Sequence, residues 1–158
     1  MMRVLGIDPG SVRTGWGIVQ VNGRKTALVD SGVFRPKGKD RTGKLVQIFR
    51  FVGDLVEEKS PDIVAVEDTF YGKNVQSMIK LGEARTSALL AAALVGVDVA
   101  TFAPREVKMA VVGNGNAAKK QVAFMIRRML GAAEDCSLDE TDALAVALCW
   151  AHRSLGAR

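Results

Sequence analysis

Four carboxylates in this 158-residue chain have the placement to do chemistry together: Asp8, Glu67, Asp139 and Asp142. Asp8 follows the apolar run Val4-Leu5-Gly6-Ile7 and precedes the turn dipeptide Pro9-Gly10. Glu67 follows Ile63-Val64-Ala65-Val66 in the same manner. An acid at the end of a buried strand must reach water, a base or a metal, because burying it unpaired is very costly. Asp139 and Asp142 lie three residues apart in the first turns of a helical segment. They therefore share one helix face, and the positive end of that helix favours their ionised forms. Clustered carboxylates suit hard divalent cations such as magnesium, which take oxygen ligands. Two such ions, roughly 3.5–4 Å apart, can clamp the attacking and leaving oxygens of a phosphodiester displacement.

Taken singly, each acid has an ordinary reading. Asp8 is a turn former beside Pro9-Gly10, Asp139 and Asp142 are helix-start acids, and Glu67 beside Asp68 is a solvated strand end. The set carries the weight: two acids ending strands expected to be neighbours, and a helix bearing two more that can pack across them. The chain offers no rival nucleophile. It has no Ser-His-Asp arrangement, and Cys136 has no histidine nearby in sequence.

The elements that must position these groups follow from hydrophobic period and turn signals. Val4–Asp8, Gly15–Val21 and Thr26–Phe34 read as three antiparallel strands on short turns, the dipeptide Asn22-Gly23 favouring a tight type I′ hairpin. After the basic loop Arg35–Arg41, Leu45, Ile48, Phe49, Val52, Leu55 and Val56 recur at helical spacing up to Lys59-Ser60-Pro61. Ile63–Val66 is a short, wholly apolar strand, and a polar loop, Tyr71–Gln76, leads to a long helix ending near Val95. Val97–Phe102 is a fifth strand. Residues 105–112 and Ala117–Leu130 read as helices separated by Gly113-Asn114-Gly115-Asn116, and a last helix begins near Leu138. Ser137 with Glu140 three residues on has capping-box spacing, which makes Ser137 its N-cap. The expected fold is α/β: a mixed five-stranded sheet, three strands antiparallel and two parallel, flanked by helices, in a single domain over residues 1–158.

Composition narrows the function classes. The 22 Lys+Arg exceed 17 Asp+Glu by a net +5, a balance compatible with a polyanionic partner. Cys136 and Cys149 form no CxxC, and the one histidine, His152, completes no zinc set; reduced core cysteines and a cytoplasmic setting are expected. No export signal opens the chain, and the longest apolar stretch, Leu89–Ala100, is broken by Gly96 and Asp98, short of a membrane span.

Seven signatures in order tie the chain to a known family. They are Gly6-Ile7-Asp8-Pro9-Gly10; Val66-Glu67 with Phe70-Tyr71; Lys73-Asn74-Val75-Gln76-Ser77; and Leu81-Gly82-Glu83-Ala84-Arg85. Then follow Ala103-Pro104 leading to Val107-Lys108, Val112-Gly113-Asn114-Gly115, and Asp139-Glu140-Thr141-Asp142-Ala143-Leu144-Ala145. On these residues the chain, from Arg3 to about Trp150, resembles the RuvC family of bacterial Holliday junction resolvases, within the RNase H-like nuclease superfamily. The resemblance implies that Asp8, Glu67, Asp139 and Asp142 are catalytic, metal-binding acids. It further implies two magnesium ions per site, manganese being a substitute, and paired symmetric nicks in a four-way DNA junction that leave 5′-phosphate and 3′-hydroxyl ends. A homodimer and a RuvA–RuvB branch-migration partner are implied as well. Two departures stand out: Met109, where relatives more often carry a polar or basic residue, and Asp68, which adds negative charge beside Glu67.

The expected DNA contacts are Phe70, Tyr71, Lys73, Asn74, Gln76, Arg85, Lys108, Lys119 and Lys120. By resemblance Phe70 stacks on unpaired bases near the crossover, and Lys108 and Lys119 lie near the scissile phosphate or along the DNA. From the residues alone, exposed aromatics are stacking platforms worth ~1–3 kcal/mol per base, and core lids serve as an equal reading. Arg105, Lys108, Lys119, Lys120, Arg127 and Arg128 concentrate positive charge in the last third, either to neutralise phosphates or as a solvated helix face. The glycines around Asn114 either free backbone amides for phosphate or simply join two helices. The helix from Asn74 to Val95 is apolar nearly all round, which predicts burial on both sides, against the sheet and against a second subunit or another helix. Two other functions compete: an actin-like nucleotide-binding protein, for which the chain lacks the length of a second domain, and an idle junction-binding module, against which all four acids argue.

Overall fold

The computed structural model describes residues 1–68 and 74–156. Three antiparallel strands open the chain: β1 (Met2–Asp8), β2 (Thr14–Asn22) and β3 (Lys25–Phe34). Helix α1 (Arg41–Lys59) leads to β4 (Ile63–Glu67), and α2 (Val75–Val95) leads to β5 (Asp98–Phe102). Then come α3 (Pro104–Val112), α4 (Lys119–Leu130) and α5 (Leu138–Gly156). The five strands form one sheet in the order β3-β2-β1-β4-β5, antiparallel across β3, β2 and β1 and parallel across β1, β4 and β5. This is the expected mixed sheet.

Strand alternation sorts the core into two layers. Leu5, Ile7, Ile18, Val64 and Val66 point to one face, against Ile48, Val52, Leu55 and Val56 of α1 and Ala84, Ala88, Ala91 and Ala92 of α2. Val4, Val19, Val21, Ala65 and Phe102 point to the other, beneath α3, α4 and the run Leu144–Cys149 of α5. Asp8 shares the parity of Val4, and Glu67 that of Ala65, so both acids emerge on the α5 face. None of the described helices is long and apolar enough to cross a membrane.

Two sequence expectations are corrected, and a third is met on one side only. The β2–β3 turn pairs Asn22 with Lys25, so its central residues are Gly23 and Arg24, not Asn22 and Gly23. Of these only Gly23 has positive φ (57°), the requirement of a type II′ turn at its first position rather than of type I′ at both. Helix α1 begins at Arg41, four residues before its first apolar position, because the Asp40 side chain accepts from Gly43 N and caps it. Helix α2 is covered by its own chain on one side only: its buried residues are four alanines, while Ile79, Leu90 and Leu94 are 52%, 52% and 74% exposed, which leaves a second subunit as the expected cover for the other side. No neighbouring helix covers that side among the described residues. Ser137 does cap α5: its N and Oγ donate to Glu140 Oε2 at 2.9 and 2.7 Å, and Glu140 N donates back to Ser137 Oγ at 3.3 Å.

Candidate active site

The ends of β1 and β4 lie side by side, Ile7 pairing with Val66, so the next residues, Asp8 and Glu67, stand together at the ends of two central strands. What brings α5 over them is the absence of side chains beneath it. A Cβ at Gly6 would collide with the Ala143 carbonyl oxygen, and one at Gly15 with the carbonyl oxygen of Asp139. Glycine inside a strand marks such a backbone approach. Asp139 and Asp142, one helical turn apart, are thereby lowered onto the strand ends.

The consequence is electrostatic. Burial first, then the charges of Asp142 and Glu67, push the Asp8 carboxyl up to about 7; Asp139 adds to the rise and Lys119 opposes it. Glu67 is raised by burial and by Asp142, against the pull of Lys119 and Lys108. Asp8 thus feels the other three acids, and Glu67 feels Asp142. Two are met by the protein's own cations: Lys119 Nζ donates to Asp142 Oδ2 at 2.8 Å, and Arg13 Nε lies 3.2 Å from Asp139 Oδ2. Lys119 is the first residue of α4, and hydrogen bonding to Asp142 raises its own pKa. With those oxygens turned to Lys119 and Arg13, no three acids or other ligand side chains stand grouped to hold an ion among the described residues. The donor set nevertheless fits a hard divalent cation: it is all carboxylate, and Asp142, Glu67 and Asp139 each add to the rise that burial begins at Asp8.

Glu67, Asp142, Lys108 and Lys119 line a cleft of about 170 Å³ between α3, α4 and α5. Carboxylates and amines lining one cleft suit a phosphodiester, whose oxygens a metal and an ammonium can share. A larger cavity of about 620 Å³ lies beyond α3, around Met109, His152 and Arg153. Its lining acid, Glu106, is paired with Arg153, and His152 Nδ1 donates to the Ala110 carbonyl at 2.9 Å, so it lacks the groups for this chemistry. Met109 belongs there, away from the cleft of Lys108.

The other candidates separate. Asp68, following Glu67, is ion-paired with Arg85 of α2, whose Nε also donates to the Glu67 carbonyl at 3.3 Å. The extra charge is therefore answered on the α2 side, and Arg85 braces the strand end that carries Glu67. Asn74 caps α2 by accepting from Ser77 N at 3.2 Å, and Gln76 is exposed in its first turn. Lys120 faces away from the acids, beside Phe124. Phe70, Tyr71 and Lys73 lie outside the described residues. Arg127 donates to the Cys136 carbonyl at 2.5 Å, a structural role, and the Gly113–Asn116 segment is a helix-joining turn in which Asn116 N donates to Asn114 Oδ1. Both cysteines are free and buried; burial raises both thiols, Cys149 to about 11, so neither is a nucleophile at neutral pH. Sequence reasoning missed Arg13 altogether. It also missed the structural use of Gly6 and Gly15, although glycines within strands were the available signal.

Residues 4–150 match the family model described as "Crossover junction endodeoxyribonuclease RuvC". The chain belongs to the RuvC family. A relative of that name from Geotalea uraniireducens is 45% identical over 155 residues, covering 98% of this chain and 91% of the relative. Thermus thermophilus RuvC superposes with a TM-score of 0.88 at 34% identity, covering 99% of this chain and 97% of that one. The same RuvC in complex with a Holliday junction substrate gives 0.91, at the same identity and coverage. The RuvC fold, an RNase H-like mixed sheet with helices on both faces, is therefore the fold of this chain.

Proposed function

We propose that this protein is a one-domain, structure-selective DNA endonuclease that resolves four-way junctions, with Asp8, Glu67, Asp139 and Asp142 as its metal-binding catalytic acids. One observation carries the reading: two strand-end acids and two helix-start acids share a single electrostatic site, and two lysines line the same cleft as Glu67 and Asp142. RuvC relatives carry the name of crossover junction endodeoxyribonuclease, and one of known structure holds a Holliday junction.

Magnesium, with manganese as a substitute, is the cation that this oxygen-donor set suits; bound there as a pair, it would activate water and stabilise the departing 3′ oxygen. Asp8 and Glu67 hold the donors on the rigid sheet, and Asp139 and Asp142 close the set from α5. Lys108 and Lys119 offset the repulsion between the scissile phosphate and the acids. Cutting leaves 5′-phosphate and 3′-hydroxyl ends. The exposed stripe Ile79, Leu90 and Leu94 lies on one side of α2, at spacings of eleven and four residues, and supports a homodimer. A two-fold pair of sites is what paired symmetric nicks in a junction require. Recombination and repair in the cytoplasm, with a RuvA–RuvB motor as partner, complete the proposal.

The test is cutting of a synthetic four-way junction in magnesium, with plain duplex as control. Asp8→Asn and Asp139→Asn should each abolish cutting and leave binding largely intact. Normal cutting by either variant removes that acid from the mechanism.

A further inference from the structure

We propose that a second basic cavity, on the α1/α2 side of the carboxylate cluster, holds backbone phosphates of a DNA arm running on from the cutting site; this rests on the nuclease reading above. The cavity, about 280 Å³, is walled by Lys39, Arg41 and Lys44 around the start of α1, by Lys80 and Glu83 of α2, and by Ser11 of the β1–β2 loop. Four cations there face one carboxylate, and that carboxylate is taken. Arg41 Nε donates to Glu83 Oε2 at 2.7 Å and its Nη2 to Oε1 at 2.5 Å, a two-pronged contact that ties the two helices together. Lys39, Lys44 and Lys80 have no acidic partner among the described residues.

The helix starts add an independent argument. Neither α1 nor α2 has an acid in its first turn. Arg41 and Lys44 place positive charge at the positive end of α1, where an anion is the stabilising group. The capping Asp40 supplies one anion there, accepting from Gly43 N at 2.7 Å, and Glu83 takes Arg41. Lys44 is left without an acidic partner among the described residues, and an external anion would supply one. Local mismatch of that kind marks functional surface.

Position selects the anion. Ser11 is three residues past Asp8, and Arg13, two further along the same loop, pairs with Asp139. A strand held at the acids therefore needs to cross only this loop to reach the cavity. Lysines spread over two helices suit the spaced single charges of a phosphodiester backbone. Lys108 and Lys119 line the carboxylate cleft between α3, α4 and α5, whereas this cavity lies on the α1/α2 side, so basic groups stand on both sides of the acids.

The experiment measures binding of a labelled four-way junction and of plain duplex, without divalent ions, from 50 to 200 mM salt. It compares the unaltered protein, the double variant Lys44→Ala/Lys80→Ala, and Lys25→Ala at the hairpin tip on the opposite end of the sheet. Each phosphate contact contributes about 0.9 to the salt slope, so each one lost should shrink the fall in affinity across that range about 3.5-fold. The double variant should show a loss of one or two such contacts, and Lys25→Ala none. Circular dichroism and the urea midpoint establish that the double variant is folded. An unchanged slope on both DNAs overturns the proposal. So does a titration at constant ionic strength in which inorganic phosphate saturates a site dependent on Lys44 and Lys80 while the DNA slope is unaltered. If the unaltered protein fails to prefer junction over duplex, the functional reading falls instead, and the slopes on duplex still decide the cavity.

Discussion

Replacing Asp8 with asparagine removes one negative charge from a crowded, partly buried position while keeping the side chain's size. In the folded protein the Asp8 carboxyl titrates at about 7 instead of 3.8, chiefly through burial and then through Asp142 and Glu67. The folded state thus holds its proton more tightly than the unfolded state does. Below the unfolded value both states are protonated and nothing is lost. As pH rises from about 4 through 7, the folded state must accept a charge that it disfavours, and stability falls. At about 1.4 kcal/mol per pKa unit, the full rise costs about 4 kcal/mol above pH 7. Asp8→Asn should therefore be more stable than the parent at pH 8 by up to about 4 kcal/mol, a shift of about 2 M in the urea midpoint at a slope of ~2 kcal/mol per molar. At pH 4 the difference should vanish. Magnesium narrows the gap: at 100 times its dissociation constant it stabilises the parent by about 2.7 kcal/mol and the variant by much less, leaving the variant ahead at pH 8 by about 1 kcal/mol. The assay is urea unfolding followed by circular dichroism at pH 4, 6 and 8, in chelator and in magnesium. Equal midpoints in chelator at pH 8 would refute the claim that the acids repel one another, and with it the main physical argument for a metal there.

Gly6→Ala should cost about 3 kcal/mol or more and abolish cutting, because the new methyl drives into the Ala143 carbonyl and lifts α5 from the strand ends; thermal unfolding and a cutting assay check both parts. Ser137→Ala should lower stability by about 1 kcal/mol through loss of the α5 cap, measured by urea unfolding, and the capping part of the Glu140→Ala loss should not add to it, since the two share one box; Glu140→Ala also gives up the bond from Ser31 Oγ. Leu90→Glu with Leu94→Glu should convert a dimer into a monomer in sedimentation while leaving the circular dichroism spectrum unchanged; an unaltered sedimentation profile would move the subunit contact off α2.

The four acids were legible from local pattern because each sits at a grammatical position: the end of an apolar strand or the first turns of a capped helix. The strands were legible for the same reason, since burial on one or both faces writes its period directly into residue type. Turn centre and helix start were less so. The Gly23-Arg24 turn displaced the Asn22-Gly23 reading because strand register, a property of two strands at once, decides which pair sits at the bend. What covers the outer side of α2 was not legible, because alanines supply the side that faces its own chain, and an apolar stripe looks the same in sequence whether its own chain or another surface covers it.

Residue type and order alone determined the sheet's composition, the two covering layers of helices, and a set of acids suited to a hard cation. Tertiary structure alone decided that the acids share one site. Asp8 and Glu67 meet through parallel pairing of strands some sixty residues apart, and Asp139 and Asp142 reach them only because glycine leaves α5 free to touch the sheet. It also decided which charges are answered: Asp142 by Lys119, Asp139 by Arg13, Asp68 by Arg85. Local periodicity records which way a residue faces, but the distance between two charges depends on packing between distant segments, and electrostatics follows that distance.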